Sequence, residues 1–173
     1  MSKIALKPVG NIEPWIMEEL KASLEQTFGQ AVEIKMPLEQ LDHAYNPRRN
    51  QYHSTAFVDA MSSEGERILG VCDVDLYIPG LNFVFGQADP RRKTAVISLF
   101  RLRPERYALP REERLLAERA AKEAIHELGH TEGLGHCRDD RCVMHFSNSL
   151  PETDRKSALF CKECAKKLNR GGG

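Results

Sequence analysis

Two histidines and a glutamate form the most informative cluster of this 173-residue chain. His126 and His130 are four residues apart, so on a helix they would share a face, one turn apart. Two imidazoles at that spacing can bind the same zinc ion at about 2.0–2.1 Å. Glu127 would then stand beside the ion, where a general base takes a proton from a water molecule. The segment therefore predicts a catalytic type of zinc site.

His136 is the third candidate ligand, although a continuous helix would carry it about 9 Å beyond His130 along the axis. Gly133 removes this difficulty, because glycine readily adopts the positive φ that ends a helix and turns the chain back. Three histidines would leave one position of the ion open, as catalysis requires. The alternatives are an ordinary helix with surface histidines and a zinc site without chemistry. The glycine and the third histidine argue against the first alternative, and Glu127 argues against the second.

Four cysteines follow the histidines and form a second candidate metal site. They are Cys137, Cys142, Cys161 and Cys164. The last two have the spacing of half a zinc knuckle, and the first two form a wider loop. Four thiolates leave no open position, so we predict a structural zinc that stabilises a lobe with few large apolar residues. Disulfides and an iron–sulfur cluster are the alternatives.

Together the two clusters predict two zinc ions per chain, one catalytic and one structural. Because His136 and Cys137 are adjacent, the structural zinc would hold the last catalytic ligand in place. The fifth cysteine, Cys72, lies inside a predicted strand, and we interpret it as a buried free thiol.

The composition argues against several classes of partner. The chain has 25 basic and 25 acidic residues, so its formal net charge is zero. This balance gives no electrostatic basis for binding nucleic acid or an anionic membrane. No stretch approaches the roughly 18 apolar residues of a membrane-spanning helix, and residues 1–8 lack the apolar core of a signal peptide. We therefore expect a cytoplasmic protein without nucleic-acid or membrane partners, and we expect a monomer.

Apolar periodicity predicts the elements that must position these groups. We predict strands at 4–9, 31–36, 67–77 and 94–102, and helices at 13–28, 52–62, 110–132 and 151–168. Asn11 is the candidate cap of the first helix and Pro110 lies in the first turn of the long third one, which would carry the two histidines.

The element order predicts an α/β (α+β) fold. Helices between the early strands favour a mixed, mainly parallel sheet, and the tight connections over 78–93 favour an antiparallel member near its edge. We expect an N-terminal subdomain over 1–133 that ends in the active-site helix, a C-terminal subdomain over 134–170 and a flexible tail over 171–173.

The order His-Glu-x-x-His-x-x-Gly-x-x-His is the zinc signature of metzincin proteases. Here it is followed at once by Cys-x4-Cys-x-Met and then by Cys-x-x-Cys, and in this it resembles the archaemetzincin family. The resemblance implies that the three histidines bind catalytic zinc, that Glu127 is the general base and that the cysteines bind a second zinc. It also implies that Met144 lies in a tight turn beneath the first ion. An antiparallel edge strand would align extended peptide substrates, and 82–87 is our candidate.

The resemblance implies a zinc-dependent metallopeptidase that hydrolyses peptide bonds in peptide or protein substrates with zinc-activated water. The main alternative is a catalytically weak or inactive protein that is stabilised by zinc and binds peptides or a partner. A hydrolase of small molecules would need the same ligands. His145 is a candidate donor to the substrate carbonyl, and the alternative for it is a surface histidine.

Overall fold

The computed structural model describes residues 3–61 and 65–171, which form two sheets and five α-helices. The strands are β1 (Ile4–Pro8), β2 (Val32–Ile34), β3 (Tyr45–Asn46), β4 (Gln51–His53), β5 (Arg67–Cys72), β6 (Leu76–Tyr77), β7 (Gly86–Asp89) and β8 (Thr94–Ser98). The α-helices are α1 (Pro14–Phe28), α2 (Ser54–Ala60), α3 (Glu113–Thr131), α4 (Leu150–Arg155) and α5 (Lys162–Gly171). Short 3-10 helices occupy Asp42–Ala44, Phe100–Leu102 and Pro104–Tyr107.

The main sheet has five strands in the order β2-β1-β5-β8-β7. The first four are parallel, and β7 pairs antiparallel with β8 at the edge. This confirms the predicted mixed, mainly parallel sheet with an antiparallel edge strand. A second sheet of three short strands has the order β3-β4-β6.

Helices cover both faces of the main sheet. In β1, Ile4 and Leu6 join the core formed with α1 and α3, whereas Ala5 lies on the opposite face with Phe57 of α2. Because both faces are covered, β5 and β8 are buried at every position, as expected for parallel strands.

The long helix α3 packs on α1, β8 and β7. Its 19 residues span about 28 Å. Its buried face follows the helical repeat and includes Leu116, Ala120, Ala124, Ile125 and Leu128. This packing carries the last two turns of α3, with His126 and His130, to the edge strand.

Two helix starts differ from the predictions. The N-cap position of the first helix is Glu13 and not Asn11, and the Glu13 side chain makes no capping hydrogen bond. The long helix begins at Glu113, so Pro110 lies outside it. Arg111 explains the later start, because its guanidinium binds the carboxylates of both Glu13 and Glu113 while the lead-in to the helix remains extended.

The strand predicted over 67–77 is two strands in different sheets. Between β5 and β6 the chain turns so that Asp73 pairs with Arg103 at 2.7 Å and Asp75 pairs with Arg101 at 2.6 Å. These two ion pairs place polar side chains where the apolar pattern alone predicts continuous strand.

Three further elements are shorter than their predicted ranges of 31–36, 52–62 and 94–102. The last range ends early because the Ser98 hydroxyl accepts the backbone N–H of Phe100, where a 3-10 turn begins. The final residue of the 52–62 range lies outside the described residues.

The edge strand β7 begins at Gly86, four residues later than the predicted range 82–87. Arg49 holds the loop before this strand. Its guanidinium donates to the Leu81 and Asn82 carbonyls and lies 4.1 Å from the centre of the Tyr77 ring.

The helix predicted over 151–168 is instead the pair α4 and α5. Between them Lys156 is buried, and the backbone N–H of Ser157 donates to the Arg141 carbonyl. Of the predicted tail, Gly171 is the last residue of α5, and 172–173 lie outside the described residues. Among the described helices, none has the length and apolar character needed to cross a membrane.

Candidate active site and metal centres

The structure brings the three histidines together at the end of α3. Ring nitrogens of His126, His130 and His136 all lie within 4.8 Å of one another. The Nε2 atoms of the first two are 3.1 Å apart. Two ligands at about 2.0–2.1 Å from a tetrahedral zinc would be separated by roughly 3.4 Å, so the cluster fits this ion.

Backbone carbonyls orient two of the rings. Nδ1 of His126 lies 2.8 Å from the Val143 carbonyl, and Nδ1 of His130 lies 2.8 Å from the Leu134 carbonyl. An Nδ1 proton donated to these oxygens leaves Nε2 as the metal-binding atom. Burial lowers the pKa of His126 well below its ordinary value and also lowers the pKa of His130. Both imidazoles are therefore neutral near pH 7, as metal binding requires.

The turn after α3 returns the third histidine. Gly133 has φ +90°, and its N–H donates to the His130 carbonyl at 3.0 Å. The His136 ring then stacks on His126 with centroids 5.3 Å apart. A partly buried ion pair between Glu132 and Arg67 of β5 fixes the end of the helix. The structure thus agrees with the hinge predicted at this glycine.

Glu127 lines the cleft beside the histidines and is 7% exposed. Burial, and next the charge of Glu123, raise the pKa of Glu127 to about 8. A dication held by the neighbouring imidazoles would favour the carboxylate and lower this pKa.

Gly86 of β7 leaves the space that Glu127 occupies. A Cβ at residue 86 would lie 2.5 Å from the Val96 carbonyl oxygen and 2.9 Å from Glu127 Cγ. This glycine was not among the predicted site residues, because nothing in the local sequence pattern links it to a helix about 40 residues away.

Replacement of Gly86 by alanine should therefore displace Glu127 or push β7 away from β8. We expect kcat for peptide cleavage to fall at least about tenfold, with zinc binding retained. Gly171→Ala is the matched control, since its Cβ would meet only the Glu132 carbonyl at 3.7 Å. Steady-state kinetics and zinc analysis of both variants test this, and wild-type kcat in Gly86→Ala would contradict it.

The cleft around these residues has a volume of about 310 Å³. One wall is apolar and comes from the segment before and within β7, and the other carries the histidines and carboxylates of α3. Its remaining lining residues include Glu123, Phe146 and Ser147. Sequence analysis overlooked these three, although Glu123 precedes Glu127 by one helical turn and so shares its face. A larger groove of about 660 Å³ lies between α1 and α3 and contains none of the histidines.

The four cysteines form a second cluster in which every pair of sulfur atoms lies within 4.8 Å. Cys137 Sγ and Cys161 Sγ are 3.8 Å apart. Two thiolates bound to a tetrahedral zinc would also be separated by roughly 3.8 Å. The sulfur atoms are not bonded, so the disulfide alternative is not realised. The backbone N–H of Cys164 donates to Cys161 Sγ and lowers the pKa of that thiol.

A turn over residues 142–145 connects the two clusters. The Met144 carbonyl accepts the N–H of Cys137, and the buried Met144 side chain packs where a Cβ on Gly129 of α3 would lie. His145 directs Nδ1 to the Cys137 carbonyl at 2.8 Å and is not among the residues that line the cleft. It therefore holds this turn, and the expectation of a donor to the substrate is not supported.

The mixed sheet, the long helix and the histidine cluster place this protein among the zinc metallopeptidases. The sequence model of Peptidase family M54 matches residues 1–170, and the chain belongs to this family, the archaemetzincins that its motif resembles.

Relatives and solved structures agree with this assignment. The archaemetzincin of Methanocaldococcus jannaschii is 45% identical over 170 residues, which cover 98% of this chain and 94% of that protein. The crystal structure of archaemetzincin from Methanopyrus kandleri superposes with a TM-score of 0.85 at 41% identity, covering 98% of this chain and 94% of that one. A zinc-dependent peptidase from Methanocorpusculum labreanum gives a TM-score of 0.87 at 29% identity, with coverage of 96% and 100%.

Proposed function

We propose that this metallopeptidase hydrolyses peptide bonds at the histidine cluster, with Glu127 as general base. The observation that carries the proposal is the buried Glu127 carboxylate beside three converging imidazoles in one cleft. Zinc held by His126, His130 and His136 would polarise the scissile carbonyl and lower the pKa of a water molecule towards about 7.

Glu127 performs the proton transfers. Its carboxylate takes a proton from the attacking water and delivers it to the leaving amine. Burial favours the protonated form that this second step requires. The missing side chain of Gly86 leaves room for the Glu127 carboxylate next to the start of β7, so the base lies close to the edge strand.

The edge strand is the proposed site for the substrate backbone. Among the described strands, β7 pairs only with β8, so its other edge offers N–H and C=O groups to an extended peptide. A peptide added there would pass between β7 and the histidines. This geometry favours a peptide or protein substrate.

We also propose a structural zinc at the four cysteines, which makes two zinc ions per chain. This ion would organise residues 134–170 as a small subdomain and hold the His136–Cys137 junction. Thiolate ligands suit a reducing compartment, so we propose a cytoplasmic location. We propose that the chain acts as a monomer, because its own residues supply the three histidines, Glu127 and both walls of the cleft.

An unbiased peptide library tests the proposed activity. We expect the zinc-loaded chain to give new peptide termini by mass spectrometry. Removal of zinc from the open histidine site by dipicolinate should stop cleavage, and added zinc should restore it. Binding of peptides without any new termini would instead support the alternative of an inactive binding protein. Cleavage that survives metal removal would contradict the proposal.

A further inference from the structure

A buried polar cluster lies one helical turn from the proposed base. Glu123 of α3 is 3% exposed, and its Oε1 lies 3.2 Å from Nζ of Lys156, which is 1% exposed. The hydroxyl of Thr153, which is fully buried, donates to the same oxygen at 3.0 Å. Lys156 also donates to the His145 carbonyl at 3.3 Å.

A gain in stability is not a sufficient explanation for this cluster. A buried ion pair loses so much hydration that well-packed apolar residues in its place are often equally or more stabilising. Here the cluster adjoins the cleft, and Glu123 is one of the residues that line it.

The two carboxylate oxygens of Glu123 have different surroundings. Lys156 and Thr153 both contact Oε1 of Glu123, and Oε2 has no hydrogen-bond partner among the described residues. Lys156 has no exposed side-chain surface and is not among the residues that line the cleft, whereas Glu123 is. The negative end of the ion pair is therefore the end that a ligand would meet, and a carboxylate oxygen accepts hydrogen bonds only.

Apolar side chains form another wall of the cleft that Glu123 lines. Ile78, Leu81, Phe83 and Phe85 line the same cleft, and the two phenylalanine rings pack edge to face with centroids 5.0 Å apart. A cleft that combines an apolar wall with a carboxylate can bind a side chain that has a methylene stem and a cationic end. Lysine and arginine bury their stems along apolar surfaces in this way.

We propose that Glu123 is a specificity-determining residue that binds the terminal cation of a substrate lysine or arginine, with the stem of that side chain against the Phe83–Phe85 wall. The inference rests on the proposed peptidase function. Lys156 and Thr153 are positioning residues that hold Oε1, so that Oε2 is presented to the substrate.

Matched peptides that differ only in lysine or norleucine test the proposal, because norleucine keeps the stem and lacks the ammonium. We expect kcat/KM to be at least about tenfold higher for lysine, the effect of a charge-assisted hydrogen bond. The double variant Glu123→Gln, Lys156→Met removes both charges and keeps an acceptor for Thr153. It should bring the lysine-to-norleucine ratio of kcat/KM close to one.

Binding to the wild-type chain gives a second readout that depends on neither turnover nor variant folding. Lysine hydroxamate should bind the zinc-loaded chain more tightly than norleucine hydroxamate by calorimetry. Equal affinities, preference for norleucine or preference for a glutamate peptide would overturn the role of Glu123. Absence of cleavage with the hydroxamate preference intact would instead overturn the proposed peptidase function and leave this inference standing.

Discussion

Glu127→Gln should lower kcat at least about a hundredfold while both zinc ions stay bound and KM changes little. The amide has the same shape as the carboxylate but cannot take a proton, and general base catalysis contributes about 10²–10⁴-fold. Steady-state kinetics on a fluorogenic peptide, together with zinc analysis, measures both quantities. Glu118→Gln on the exposed face of the same helix is the matched control and should keep wild-type activity.

The unfolding temperature of the same variant shows whether a loss of activity comes from lost catalysis or from lost stability. Burial raises the pKa of Glu127 to about 8, so between its ordinary pKa and that value the folded chain binds more protons than the unfolded chain. This contribution to stability is complete at acid pH and is lost as the pH rises through about 8. With the histidine site stripped of zinc, Glu127→Gln should therefore unfold at pH 8 at the same or a higher temperature than wild type. Wild-type kcat in Glu127→Gln would refute the proposed base.

Cys161→Ser should have the second large effect. A structural zinc contributes apparent binding free energy of about 10–16 kcal/mol in small domains, as much as the whole stability of many proteins. We expect loss of one zinc ion, a thermal midpoint lower by at least about 10 °C and loss of peptide cleavage. Cleavage should fail because Cys137 no longer holds its neighbour His136 in the cluster.

Cys72→Ala is the control for the cysteine variant. Cys72 is fully buried in β5 and lies outside the four-cysteine cluster, so its replacement should cost some stability and neither zinc ion. Differential scanning calorimetry and metal analysis distinguish the two variants. Two zinc ions and full activity in Cys161→Ser would show that the cysteines do not support the active site.

Local spacing was sufficient to predict the histidine cluster. His126 and His130 share a face because a helix repeats every 3.6 residues, and Gly133 has the positive φ that the position of His136 requires. The four-cysteine cluster also followed from spacing. In each case the predicted residues are close in sequence or belong to a motif that requires one geometry.

The rest of the site depends on contacts between distant residues. Thr153 is 30 positions from Glu123, and no periodicity links them. The edge strand β7 has the sequence Gly-Gln-Ala-Asp, which lacks the apolar alternation of a strand, so the prediction favoured the apolar segment before it. The break between β5 and β6 arises from the ion pairs of Asp73 and Asp75, which hydrophobic patterning does not detect.

The zinc content of the purified chain tests the central claim most directly, that two metal centres meet at the His136–Cys137 junction. Elemental analysis should give two zinc ions per chain. Dipicolinate should remove one of them together with peptide cleavage, and the other should leave only after the cysteines are modified. A single zinc ion bound by the cysteines, in a chain that still cleaves peptides, would contradict the claim.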